Sequence, residues 1–438
     1  MGGARGAVAM SWFGFGEGRE SELLRVVRGA PLRDVLDVLD VSDPSAWIAF
    51  DVDVRGLYTR WDALEPGESR TALDLCACDG RVREAALRRV ASYPVLLPLV
   101  VIRCADWAAP VREKARGVLR EALPRLGAGE LAALAPMVLR VGRRERGVFG
   151  VGLLREVLSG AAGRDRLVAS LGHADPAVRR FAHRIAVDEQ VLSAPELARI
   201  AACDSDVVVQ NLCADAALAG VREGDERAYQ RVVSPLLAAR SPRVRSAGVT
   251  ALRRVGRARE ARSYLVDRSA LVRACARYVL KQAGVDPLPL YREWCATPDD
   301  PALPPGAAVG LGECGARADA ELLLPLLAHP VPAVRARAVA GLRVLDVAVT
   351  ERLRPLLDDP APAVAREACT ALLPSARQLP TEWLLARIGP EAPRPTRVAA
   401  FRLLCAQGGA GQLQAAKALL QDADVKLRLR AEQIVRGR

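Results

Sequence analysis

One pattern of apolar and polar positions recurs along the chain: a pair of leucines, a short break holding Asp, His or Pro, then Val, often Arg, and an alanine-rich stretch. It reads LLAARSPRVRSAGVTAL from Leu236, LLAHPVPAVRARAVAGL from Leu326 and LLDDPAPAVAREACTAL from Leu356. In the copy that begins at Ala318, ADAELLLPLLAH predicts a first helix kinked at Pro325 and ended by Pro330 and Pro332. The segment AVRARAVAGLRVL that follows predicts a second helix, because Val334, Ala338 and Leu342 fall four apart and share one face. Ala338 and Gly341 are small enough to let that helix approach a neighbour closely. No window sustains period-two alternation, so strands are not expected.

The valine that opens the second helix can be followed at Val82, Val111, Val178, Val208, Val244, Val272, Val334, Val364 and Val425, in steps of about 30 or about 60 residues. Degenerate copies fall near Val148, Val309 and Val398, giving about eleven or twelve units from about residue 65 onward. Each such unit buries its apolar face only against its neighbours, so the repeat predicts one continuous all-α array. The Thr-Pro-Leu-His signature of ankyrin repeats is missing, and aromatics at 4% are too few for the landmarks of tetratricopeptide repeats. With Asp175, Val178, Arg179 and Ala182 in their places, the unit resembles the HEAT family, in the short form called PBS-lyase HEAT-like repeats. That resemblance covers about four fifths of the chain. It implies an α-solenoid of about 11–12 helical hairpins forming a right-handed superhelix, with second helices lining the concave face. The expected division is a flexible leader over 1–18, capping helices over 19–65 and the solenoid over 66–438.

Composition narrows the function classes. The ten cysteines are scattered with no Cys-x-x-Cys, and most lie in apolar helical contexts where a free thiol acts as a small hydrophobe. The longest apolar stretch, Val95 to Ile102, is far too short to span a membrane and contains a proline. The first residues lack a cleavable signal pattern, and a cytoplasmic protein with reduced thiols is expected.

Charge is the strongest remaining signal. Between Arg240 and Lys281 stand twelve basic residues against Glu260 and Asp267, so +10 of the chain's net +12 sits in about two units. Arg273, Arg277 and Lys281 are four apart, and Arg245 and Arg253 fall at the equivalents of the first and last one unit earlier. Arg112, Arg116 and Arg120 form a third such row, and rows on one helical face suit phosphates or an acidic partner. Two readings compete with that. Only four lysines accompany 59 arginines, the bias of GC-rich coding. The family resemblance also implies that the Arg after the Val (Arg83, Arg112, Arg179, Arg245, Arg273, Arg335) pairs with an Asp of its own or a neighbouring unit as a structural ladder.

Catalytic constellations are nearly absent. None of His173, His183 and His329 is followed by Glu, which excludes a dinuclear-iron HEAT enzyme with His-Glu ligand pairs. Cys76-Ala-Cys78 falls short of a zinc ligand set, and the glycine-rich run Gly14–Gly18 lacks a phosphate-loop lysine, so neither metal nor cofactor is expected. The segment before the repeats holds Trp47, Phe50, Tyr58 and Trp61 beside Asp51, Asp53 and Asp62. Trp47, Asp51 and Trp61 are candidates for an aromatic and acidic pocket, set against a capping role in which bulky residues close the core. Trp107, in the break between two helices, is expected to pack on the adjoining unit.

Three functions follow as expectations. The first is a non-enzymatic scaffold that binds a partner protein along its concave face. The second is a nucleic-acid-binding protein using the basic rows, resembling the HEAT-like alkylpurine DNA glycosylases only in fold. The third, implied by the family label alone, is a lyase-like chaperone for a bilin.

Overall fold

The computed structural model describes residues 43–56 and 61–437, and among them every regular element is a helix. The leader over 1–18, most of the expected cap and Tyr58 lie outside the described residues. The described residues fall into two compact units, the first running up to residue 200 with 204–216 and the second comprising 201–203 with those from 217 onward.

Helical hairpins of the HEAT-like kind fill both. In the first unit, Leu97–Arg103 turns into Ala109–Ala122, and Gly160–Leu171 into Pro176–Asp188. In the second unit, second helices stack in series: Pro305–Cys314 on Pro332–Val344, then Pro362–Leu372, then Arg394–Gln407. Several first helices are broken where a proline interrupts them. The stretch from Ala318 runs as helix over Ala320–Leu323 and tightens to a 3-10 turn over Pro325–Ala328, because Pro325 lacks the N–H that would continue the ladder.

The second helices share a fixed register counted from their caps. The third helical residue is a fully buried valine at Val111, Val178, Val244, Val272, Val334 and Val364. In five hairpins that position is not the valine the repeat suggested. Val148, Val398 and Val425 are exposed; Gly150 and Leu427, two residues further on, and Thr396, two residues before Val398, take the buried place. Val208 likewise yields to Val209, while Ala307, two residues before Val309, holds the place in Pro305–Cys314. A valine one or two residues off that position is rotated by about 100–200°, which turns Val148, Val208, Val398 and Val425 outward; Val82, third in Gly80–Leu87 but exposed, and Val309, two residues off but buried, depart from the pattern.

Ala338 and Leu342 are buried behind Val334, as their spacing predicts. Gly341 permits a close approach between helices: a Cβ on Gly312 would lie 2.6 Å from the Gly341 Cα, and one on Gly341 2.7 Å from the Ala308 carbonyl oxygen.

Helix Pro44–Gly56 does not follow the hairpin pattern. It packs on Glu68–Cys76, Leu97–Arg103 and Ala128–Val141, the first helices of three successive hairpins, and so lies across them instead of closing one end. Trp47, Phe50 and Val54 form its buried stripe, with the two rings edge to face at 6.5 Å.

Candidate functional site

The fourth residue of several second helices carries the chain's main polar architecture. Arg83 places one guanidinium nitrogen on the carbonyl oxygens of Ala77 and Cys78 (2.7 and 2.8 Å) and the other two on the carboxylate of Asp106 in the next hairpin (3.0 and 2.9 Å). Arg335 repeats the arrangement on His329 and Pro330 and on both oxygens of Asp359, each at 2.8 Å. Arg245 does so with Ala239, Arg240 and Asp267, and Arg179 with His173, Ala174 and, at 3.4 Å, Asp204. Arg397 pairs with Asp422. The planar five-donor fork suits this place because it satisfies turn carbonyls and a carboxylate together.

The acceptor has its own fixed position. Each of these aspartates sits in the interhelical turn and accepts the backbone N–H two residues on: Asp106 from Ala108, Asp204 from Asp206, Asp267 from Ser269, Asp359 from Ala361 and Asp422 from Asp424. Where the preceding helix has Val151 or Ala308 instead of Arg, the turn carries His173 or His329, whose Nδ1 accepts the same N–H, from Asp175 or Val331. A carboxylate thus stands in the turn that Arg83, Arg179, Arg245, Arg335 and Arg397 reach, and a histidine in the turns after Val151 and Ala308. For Asp106, Asp267 and Asp359 burial pushes the carboxyl pKa up, yet the arginine hydrogen bonds outweigh it and hold each below its ordinary value.

The expected basic rows divide on this ladder. Arg245 and Arg273 are buried. Arg273 and Arg277 converge on Glu313, with Arg273 Nε at 3.1 Å and Arg277 at 2.7 Å, so the row Arg273, Arg277, Lys281 presents only Lys281 to solvent. Arg253 is exposed. In the first unit Arg112 donates to the carbonyls of Asp106 and Trp107, and Arg116 to those of Cys104 and Arg146. Arg116 and Arg120 both lie 5.1 Å from the Phe149 ring centroid, Arg120 on the exposed side. Arg120, Arg253 and Lys281 remain as outward charges, each in the last turn of its helix where a cation also meets the negative end of the dipole.

The aromatic and acidic candidates do not form a pocket. Trp47 and Asp51 are buried under helix Pro44–Gly56, where Asp51 binds Arg103 and Arg55. Trp61 is half-buried and donates its indole N–H to Asp74 at 2.9 Å. Trp107 is not packed away: it is 66% exposed, with the Arg83 guanidinium 5.7 Å from its ring. The indole cannot enter the core because Asp106, beside it, is drawn inward by Arg83 and Arg103. Among the described residues no three His, Cys, Asp or Glu come together to hold a metal, and no helix is long and apolar enough to cross a membrane.

Sequence reasoning passed over one surface. Arg140 and Arg143, at the end of helix Ala128–Val141, and Arg184, on Pro176–Asp188, are exposed around a hollow of about 280 Å³ and its smaller neighbour of about 170 Å³. The run Arg140, Arg143, Arg144, Arg146 in the sequence was the signal that marks it.

No family model matches the chain, and no curated protein matches it. Among solved structures it is similar to the karyopherin Kap121p bound to the extreme C-terminus of the protein phosphatase Cdc14p, at 12% identity and a TM-score of 0.30 over 80% of this chain and 47% of that one. An engineered protein is similar at 15% identity and a TM-score of 0.23, covering 95% and 98% of the two chains. A structure of tubulin recruitment by microtubule polymerases with TOG domain arrays is similar at 11% and 0.24, over 82% and 98%. The chain spans about half the length of the karyopherin chains it matches. Likeness at these scores carries no argument, and the all-α architecture stands on the chain's own helical hairpins.

Proposed function

We infer that this chain is a non-enzymatic HEAT-repeat scaffold of the PBS-lyase HEAT-like type that binds a partner protein along the faces of its second helices. The ladder carries the reading. Its buried arginines and turn carboxylates hold hairpin to hairpin, the three histidines bond to backbone, and what is left outward varies from hairpin to hairpin. Such a surface suits recognition of another macromolecule. The ten cysteines, none of them in a disulfide, support a reducing compartment such as the cytoplasm.

Nucleic-acid binding is disfavoured by the same geometry. A phosphate-tracking surface needs several free cations per helix, and Arg245, Arg273 and Arg277 are committed to carboxylates.

Photo-crosslinking residues at Arg120, Arg253 and Lys281, expressed in the native cells, test the scaffold reading alongside anisotropy with labelled duplex and single-stranded DNA. Protein crosslinks at these positions and DNA affinity no tighter than non-specific binding are expected. Tight, salt-steep DNA binding that Arg253→Glu with Lys281→Glu abolishes would overturn it.

A further inference from the structure

We propose that the hollow between helices Ala128–Val141 and Pro176–Asp188 is a docking site for an acidic peptide segment that carries an apolar side chain. The inference rests on the scaffold reading and names the chemistry of one partner segment.

Leu139, Ala177 and Phe181 floor the hollow, and Arg143 and Arg184 stand at its rim. Arg140 joins through the adjacent hollow, which shares Leu139, Arg143 and Ala177. None of the three arginines meets a carboxylate among the described residues, in contrast to the ladder arginines. Arg180 also reaches the hollow, but its Nε and one terminal nitrogen donate to Asp206 at 3.0 and 2.6 Å. The two carboxylates at the far end are engaged as well. Asp43 accepts the N–H of Ser45 at 2.8 Å and Asp175 that of Ala177 at 2.6 Å, so each caps the start of its own helix instead of pairing with a rim arginine.

Three guanidinium forks with no ion pair among the described residues, set around an apolar floor, match a segment that alternates carboxylates with a leucine-sized side chain. The carboxylates bind the forks in bidentate fashion, and the side chain covers Phe181 and Leu139, which are half-buried and packed on the core. Inorganic phosphate would satisfy the rim and leave the floor wet. A duplex is far too wide for a hollow of this size. A single strand, with a base on Phe181, is the rival that the experiment must separate.

The full chain is titrated with a fluorescein-labelled peptide alternating Glu and Leu, the same peptide with Ser for Leu, and oligo-thymidine. Binding of the Glu-Leu peptide that weakens with salt is expected. It should fall by about tenfold or more in the triple variant Arg140→Glu, Arg143→Glu, Arg184→Glu, and by several-fold in Phe181→Ser or when Ser replaces Leu in the peptide. Circular dichroism of the variants checks that these exposed changes leave the helices intact. Peptide affinity unchanged in the triple variant would overturn the proposal, as would oligo-thymidine binding tighter than the peptide through the same arginines. Either failure leaves crosslinks at Arg120, Arg253 and Lys281 untouched, so the scaffold reading is judged separately.

Discussion

Replacing Arg335 by Ala removes two hydrogen bonds to Asp359 at 2.8 Å and a donor shared by the carbonyls of His329 and Pro330. The two side chains are 13% and 6% exposed, so water replaces little of what is lost. Breaking a buried pair costs about 3–5 kcal/mol, and partial access at Arg335 brings the expected loss to about 2–4 kcal/mol. The chain supplies its own remedy, because Ala308 is followed by His329 at the turn position where Arg335 is followed by Asp359. Adding Asp359→His to Arg335→Ala should therefore recover about 1–2 kcal/mol, since no unpaired carboxylate stays in the turn and the ring still accepts the Ala361 N–H. Asp359→His alone, which sets an imidazole against the guanidinium, should destabilise by itself. Urea unfolding followed by far-UV circular dichroism on the four proteins closes the cycle. An Arg335→Ala protein within about 0.5 kcal/mol of the parent, or a double variant as unstable as the sum of the singles, would refute the reasoning.

Other consequences of the fold are equally open to test. Gly312→Ala sets a methyl 2.6 Å from the Gly341 backbone and should cost about 1–3 kcal/mol, whereas Gly117→Ala, with nothing within 4 Å, should stabilise its helix by up to about 1 kcal/mol; thermal melts that move the same way in both would contradict the close approach. Asp206 is held at about 2, below its ordinary 3.8, chiefly by Arg180. A lowered carboxyl pKa contributes stability above the unfolded value that is lost as pH falls through the folded one, so Arg180→Met should flatten the stability change between about pH 4 and about pH 2. Burial pushes the thiols of Cys104, Cys213 and Cys295 up to about 12, so a thiol-specific reagent at neutral pH should modify exposed Cys78 and Cys203 first and reach those three only on unfolding.

The hairpins and the kink at Pro325 were legible because helix periodicity and proline chemistry act within a few residues. The register was less so. Val425 looked like the opening valine, but Leu427 holds the place, and the better guide is Arg428, whose guanidinium reaches the Asp422 carbonyl six residues back just as Arg335 reaches His329. The ladder itself left a trace in spacing: Arg83 to Asp106, Arg245 to Asp267 and Arg335 to Asp359 are separated by 23, 22 and 24 residues, about one unit less the turn. The basic rows misled because charge was summed over a window of sequence. Glu313, which neutralises Arg273 and Arg277, lies 40 and 36 residues further on, and no local count includes it. The aromatic segment misled for a related reason: the partner of buried Asp51 is Arg103, on a helix packed directly against Pro44–Gly56 but far along the chain.

On the proposed reading some arginines hold hairpins together and others face a partner, and a paired measurement on two variants tests that division most directly. One variant carries Arg245→Met and Arg273→Met, the other Arg140→Glu, Arg143→Glu and Arg184→Glu, and each is assayed for melting temperature and for binding of the Glu-Leu peptide. The ladder variant should melt several degrees lower and bind as the parent does, and the surface variant should melt as the parent does and lose the peptide. A ladder variant that keeps its melting temperature and loses binding would contradict the account at its centre.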